Sequence, residues 1–193
     1  MPRLPIDDNR LVRIKPDLIS HSHSPLYISE MTGSSRGRQT LTLHTGSACL
    51  CLRLPRRPAG WLAAQACADA LVFEFSDDGM ILHLVELKST VDPDEWDKIK
   101  KQLKGAYHNA LAVRGVLELP DISAVKVIIT CSEDRLGSAT SATTASLKFG
   151  LGKPQRYAAV DWLERRVAID DLNDIPLNIV IRDPDGNASA HLS

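Results

Sequence analysis

The chain has 193 residues, 44% hydrophobic and 24% charged, with 23 Lys and Arg against 24 Asp and Glu. This balance excludes a globally basic nucleic-acid coat while leaving room for a local basic patch, and 11 Gly with 11 Pro excludes a low-complexity or collagen-like chain. Cys49, Cys51, Cys67 and Cys131 read as reduced thiols rather than a secreted disulfide framework, no apolar run reaches the ~18 residues of a membrane span, and the first residues lack the apolar segment of a secretory signal, so the expectation is a soluble cytoplasmic protein with no membrane partner.

Residues 1–25, rich in Pro, Asp, Ser and His, read as an N-terminal arm. Residues 26–182 read as one domain, and residues 183–193 as a flexible C-terminal tail with little to bury. Leu26 to Glu30 is a short apolar patch of open assignment, and Met31 to Arg38 reads as a loop. Leu41, Leu43 and Ala48 to Leu54 predict one or two strands around a His44-Thr45-Gly46 turn. Pro55 to Gly60 punctuates the chain. Asp69 to Phe75 and Met80 to Lys88 predict two strands, and Ser76-Asp77-Asp78-Gly79 supplies the hairpin turn between them.

Thr90 or Asp92 can then cap a helix. Pro93 suits its first turn, and Asp94 and Glu95 favour the positive end of its dipole. Trp96, Ile99, Leu103, Ala106, Tyr107, Ala110 and Leu111 recur at helical spacing to about Val113, with Gly115 ending or fraying the element. Val125 to Cys131 predicts an interior strand. Residues 132–156 are polar and read as a functional loop or a partly disordered stretch. A short helix is expected around Trp162, and a last strand over Leu177 to Ile181. Hairpin, helix and strand in this order predict an α/β fold with a mixed sheet and the helix on one face.

Side chains alternate faces along a strand. A four-residue loop over 76–79 pairs Phe75 with Met80 and sets Asp69 opposite Glu86. A two-residue turn at Asp78-Gly79 pairs Asp77 with Met80 and sets Asp69 opposite Lys88. In both registers Asp69, Glu86 and Lys88 share one face, and only a one-residue bulge separates them. Directly opposed side chains have Cβ atoms about 5 Å apart, and two carboxylates that close repel unless a positive charge lies between them. A hard divalent cation resolves that conflict, since Mg²⁺ takes one or two carboxylates together with water and phosphate oxygens. Lys88 is placed to hold or activate an attacking water or to stabilise charge developing on phosphorus. Metal-assisted phosphodiester hydrolysis fits this set. The plainer alternative is a solvated strand tip carrying a surface ion pair of little energetic weight.

Asp69, a strand, a turn and the sequence Leu84-Val85-Glu86-Leu87-Lys88 followed by a helix resemble the PD-(D/E)xK nuclease superfamily, which includes restriction endonucleases, Holliday-junction resolvases and RecB-type nucleases. The resemblance covers roughly residues 60–131. It implies a restriction-endonuclease-like mixed β-sheet flanked by helices, with the acid on the second core strand, ExK on the third and a helix after it. It further implies Asp69 and Glu86 as ligands of Mg²⁺ or Mn²⁺ and Lys88 as the catalytic lysine. Gln102 and Tyr107 on the following helix resemble the Gln-xxx-Tyr pair of RecB-like members, here separated by four residues. The residue before Asp69 is Ala68 rather than proline, and the nearest candidate for the family's upstream helical glutamate is Glu30. The implied function is a Mg²⁺-dependent nuclease acting on DNA, similar to effector subunits of bacterial anti-phage or repair systems, as a homodimer or with a partner protein. The alternative is a catalytically inactive nuclease-fold subunit serving as a protein- or nucleic-acid-binding scaffold.

Lys98, Lys101 and Lys104 on the helix, and Arg56 and Arg57 on a proline-flanked loop, are the expected contacts to phosphates. An ordinary solvated helix face balanced by Asp94, Glu95 and Asp97 explains the lysines equally well. His44, Cys49, Cys51 and Cys67 have spacing too irregular for a zinc site. His83 falls on the face opposite Asp69 and Glu86.

Overall fold

A computed structural model describes residues 4–22, 24–31, 38–54, 67–77, 79–134, 136–137 and 155–192. It is a mixed α/β fold built on one large sheet. The elements run α1 (Asp8–Leu11), a 3-10 turn (Pro16–Leu18), β1 (Ile19–Ser22), β2 (Leu26–Met31), β3 (Arg38–His44), β4 (Ala48–Arg53), β5 (Ala70–Ser76), β6 (Gly79–Leu87), β7 (Thr90–Val91), α2 (Pro93–Leu117), β8 (Ile122–Cys131), β9 (Glu133–Asp134), α3 (Gln155–Glu164), β10 (Arg166–Ile169), β11 (Leu172–Ile181) and β12 (Asn187–His191).

The large sheet has seven strands in the order β1-β4-β5-β6-β8-β11-β10. β4, β5 and β6 form an antiparallel meander, β8 and β11 add in parallel, and antiparallel β10 closes the edge. The switch from antiparallel to parallel falls between β6 and β8, where α2 supplies the long crossover that a parallel pair requires. One face of the sheet packs on the helices. Leu71, Phe73, Met80, Leu82, Leu84, Val127 and Ile129 meet Trp96, Ile99, Leu103, Ala106 and Ala110 of α2. On the other face, β12, β3 and β2 form a three-stranded sheet whose Leu26, Ile28, Leu41 and Leu43 bury Cys49, Cys51, Val72 and Val85.

α2 begins where the sequence indicates. The Asp92 side chain accepts the Glu95 backbone N–H at 2.9 Å, and Pro93 lies in the first turn. Its end differs: the helix passes through Gly115 to Leu117, because Leu117 and Leu119 are drawn into the core, and Glu118 stops it in the left-handed conformation at φ 52°. α3 packs across α2 through Trp96 and Trp162, whose rings meet edge to face at 5.3 Å.

Several expectations are corrected at the two ends of the chain. The N-terminal arm is ordered over its described part: β1 pairs with β4 as the edge strand of the large sheet, Ile19 opposite Leu52. β2 and β3 pair with each other rather than with β4, so the His44 to Ser47 turn carries the chain from one sheet to the other. Glu30 lies on strand β2, opposite Gln39, and not on a helix. The C-terminal tail is no fraying end. β12 runs parallel to β3, and Ala188, Ala190 and Leu192 alternate into the core there. Small apolar residues every second position are enough to seat a strand when a partner edge is waiting for them. Residues 133–134 form β9, paired with β7, whereas 138–154 lie outside the described residues. Among the described residues, no helix is long and apolar enough to cross a membrane.

Candidate active site

The hairpin register sets Ala70 opposite Val85 and Ser76 opposite Gly79. The next position outward places Asp69 against Glu86, the first of the two registers the sequence allows. Gly79 has φ 129°, a conformation that other residues rarely adopt, which keeps the turn short and the register fixed. Glu86 follows Leu82 and Leu84 on the helix-facing side of β6 and is 1% exposed. Lys88, just past the strand, turns the same way. Its Nζ lies 2.8 Å from Glu86 Oε1 and 3.3 Å from Glu95 Oε1. Asp69 Oδ2 accepts the Leu87 backbone N–H at 2.7 Å, which ties the opening of β5 to the close of β6.

The backbone under this cluster is held from both sides. Lys88 donates its N–H to Thr130 O at 2.8 Å, and Ser132 N–H bonds Ser89 O at 3.0 Å. The Arg182 guanidinium donates to Lys88 O. The parallel pair of β7 and β9 continues the anchoring into the loop before α2. The acid and the amine therefore sit on rigid strand ends rather than on a mobile loop, as a preorganised site requires.

Burial pushes the Glu86 carboxyl up to about 8. The charge of Asp69 adds to this, and Lys88 with the Asp69 backbone offsets it only in part. Burial works against the charge on Lys88, but Glu86 and Glu95 outweigh it and leave the amine raised. For Glu95, Lys98 and Lys88 outweigh burial and hold the carboxyl below its usual range. Glu86 Oε2 is buried without a hydrogen-bond partner. A carboxylate oxygen left bare, beside a second acid that resists sharing negative charge with it, is the environment that a hard cation relieves. Asp69 and Glu86 are the residues that fit such an ion, with further positions left to water or phosphate oxygens. Among the described residues, no cluster of three or more His, Cys, Asp or Glu side chains forms a complete protein cage.

α2 contributes unequally. Gln102 Nε2 donates to Cys67 O at 3.3 Å, two residues before Asp69, and its Oε1 is buried without a partner. Tyr107 is farther along α2 and lines a shallow cavity with Ile122, Ser123, Leu172 and Ile175, at the opposite end of β8 from Ile129, the neighbour of Glu86. Gln102 thus approaches the cluster and Tyr107 does not. Lys98 pairs with Glu95 at 3.0 Å and stands beside the site, Lys101 is exposed, and Lys104 pairs with Asp170. Arg56 and Arg57 lie outside the described residues.

Two neighbours are not singled out for the site by the sequence reading. Glu95 has the position of a helix-capping acid, yet its carboxylate turns to Lys88 and Lys98. Cys67 accepts the Asn109 amide at 3.0 Å, and burial, with Glu86 nearby, raises its thiol to about 11. It is therefore protonated at neutral pH and is no nucleophile. On the far face, His83 bonds Glu74 at 2.9 Å and Cys49 and Cys51 are buried under the three-stranded sheet, all away from the acid cluster. No protein-family model matches this sequence, and neither the curated proteins nor the solved structures give a significant match.

Proposed function

We propose that the chain is a restriction-endonuclease-like, PD-(D/E)xK-type nuclease that hydrolyses phosphodiester bonds in DNA with Mg²⁺ or Mn²⁺, acting as an effector in a bacterial anti-phage or repair system. The observation that carries this reading is Asp69 facing Glu86 across the hairpin with Lys88 on the same side. The strand sequence supports it as well: β4, β5 with the aspartate at its mouth, β6 ending in Glu-Leu-Lys, then α2. Asp69 and Glu86 would hold the ion, which when bound polarises the phosphoryl oxygens and acidifies water. The chain's own residues do the rest. Lys88 carries the positive charge that orients a water or meets the anionic transition state. Glu95 keeps that ammonium in place when Glu86 is otherwise engaged. Gln102 steadies the segment entering β5. Lys98 and Lys101, on the outer side of α2, are placed to meet backbone phosphates.

The inactive-scaffold reading draws on one fact: Glu86 is 1% exposed and already bound to Lys88. A single experiment separates the two. Purified protein is incubated with single- and double-stranded DNA and with RNA, with Mg²⁺, with Mn²⁺ and with chelator. The nuclease reading expects metal-dependent cleavage that a Glu86→Ala, Lys88→Ala variant loses while keeping its circular dichroism spectrum. Wild-type protein that folds, binds nucleic acid and cleaves none of the three substrates with either metal overturns it in favour of the scaffold.

A further inference from the structure

On the face of the large sheet away from Glu86, the three-stranded sheet covers β4 to β6 but leaves part of β8 and β11 open. There a cavity of about 580 Å³ lies among β8, β11, the junction of α3 with β10, and the end of β12. That volume is in the range of small-molecule sites, about 300–1,000 Å³. Its floor is apolar: Ile128 and Leu192 turn buried side chains to this side, beside the backbones of Val127 and Leu177, whose side chains join the helix-side core. Its walls carry Lys126, Arg165 and Arg166, with Asn178 beside them and Glu164 as the one carboxylate among the described lining residues.

The cations are not equally engaged. Arg166 bonds Asp174 at 3.1 Å, and Lys126 acts electrostatically on Glu74, itself tied to His83. Arg165 is exposed and forms no ion pair among the described residues. It sits at φ 56°, tied to β11 by the Leu177 N–H that bonds its carbonyl at 2.9 Å, so the backbone fixes where the guanidinium starts. His191, one of the lining residues, stacks its ring on His44 with centroids 5.0 Å apart and planes 26° from parallel. A stack of two flat rings at the edge of an apolar floor suits a third flat ring. Guanidinium and ammonium groups on the facing wall suit a phosphate.

We propose that this cavity binds a nucleoside monophosphate, with the base over Ile128 and Leu192 beside His191 and the phosphate against Arg165 and Lys126. The site is separate from the acid cluster, on the other face of the sheet, and does not depend on the nuclease reading.

The full chain is titrated, in chelator, with adenosine monophosphate, with adenosine and with inorganic phosphate, followed by isothermal calorimetry and backbone amide NMR. The expected result is saturable binding of the monophosphate, with shifts at Val127, Asn178 and His191. Arg165→Glu, on an exposed side chain, weakens it by about tenfold or more, and adenosine and inorganic phosphate each bind about tenfold more weakly than the monophosphate. Glu86→Ala leaves it unchanged. The proposal is overturned if no ligand saturates, if Arg165→Glu binds as the wild type does, if Glu86→Ala abolishes binding, or if inorganic phosphate binds as tightly as the nucleotide.

Discussion

The Lys88 ammonium is 3.3 Å from Oε1 of Glu95, a residue seven positions later that belongs to a different element. The contact bridges the end of β6 and the first turn of α2, so the lysine is gripped from the helix as well as from Glu86. An amine held by one carboxylate swings when that carboxylate is drawn to a cation; an amine held by two does not.

Glu95→Gln removes the second grip and leaves the helix cap at Asp92 intact. If the proposed nuclease activity holds, the expected outcome is a loss of metal-dependent cleavage on the order of tenfold, the scale of a catalytic group displaced by a fraction of an ångström. The thermal midpoint should be nearly unchanged, because Glu95 is partly exposed and its ion pairs contribute little to folding. Cleavage rate and melting temperature measured on the same preparation check both halves.

Glu86 gives a pH dependence with a definite sign. Its folded pKa is raised from 4.5 to about 8, so between those values the native protein keeps a proton that the unfolded chain has released. Stability contributed by this group is greatest at low pH and declines as pH rises through that window, by at most about 1.4 kcal/mol per pH unit for a single proton. Glu86→Gln carries no such proton. Urea midpoints of wild type and variant at pH 5, 6.5 and 8 should diverge, with the variant gaining on the wild type at the alkaline end. Parallel curves would refute the assignment.

Gln102 and Tyr107 are expected to separate. Gln102→Ala frees the segment before Asp69 and, under the proposed nuclease activity, should lower cleavage on the order of tenfold. Tyr107→Phe, altered beside the Ile122 end of β8 and away from the cluster, should cleave at the wild-type rate. Steady-state kinetics on one oligonucleotide substrate compares them directly.

Trp96 is fully buried and meets Trp162 edge to face, with its indole N–H donated to Asp161 at 3.1 Å. Trp96→Ala leaves a cavity between α2 and α3 and should cost about 3–5 kcal/mol. Chemical denaturation measures it. A loss below 1 kcal/mol would mean that the two helices do not pack through this pair.

Removing residues 187–193 strips β12 from β3 and uncovers Leu41 and Leu43. The truncated chain should bind the dye ANS, and the β2 and β3 amides should lose protection against hydrogen exchange while β5, β6 and β8 keep theirs.

The site was readable because its determinants are local. The turn narrows the hairpin to two registers, alternation puts the three residues on one face in both, and the Asp92-Pro93 start fixes the helix that follows. The strands at either end of the chain escaped notice for the opposite reason. β1 and β12 are four and five residues long, carry Ser, His and Ala, and owe their conformation to partners β4 and β3, remote in sequence. Nothing within such a segment signals that its partner edge exists. Glu95 was legible as a helix-start acid but not as the second holder of Lys88, since that role depends on the tight connection through β7. The continuation of α2 past Gly115 was hidden likewise, because burial of Leu117 and Leu119 outweighs a single glycine's local preference.

The parallel union of β12 with β3 also sets an order of events during synthesis. Paired positions lie 147 residues apart in sequence, from Thr40 with Asn187 onward. While a ribosome is still delivering α3 and β11, the growing chain has a meander and a crossover helix able to close on each other, but β2 and β3 have no third strand to shield them. Leu41 and Leu43 are then without their β12 cover until Asn187 to Leu192 emerge, an interval in which a short aliphatic stretch stands open to a chaperone.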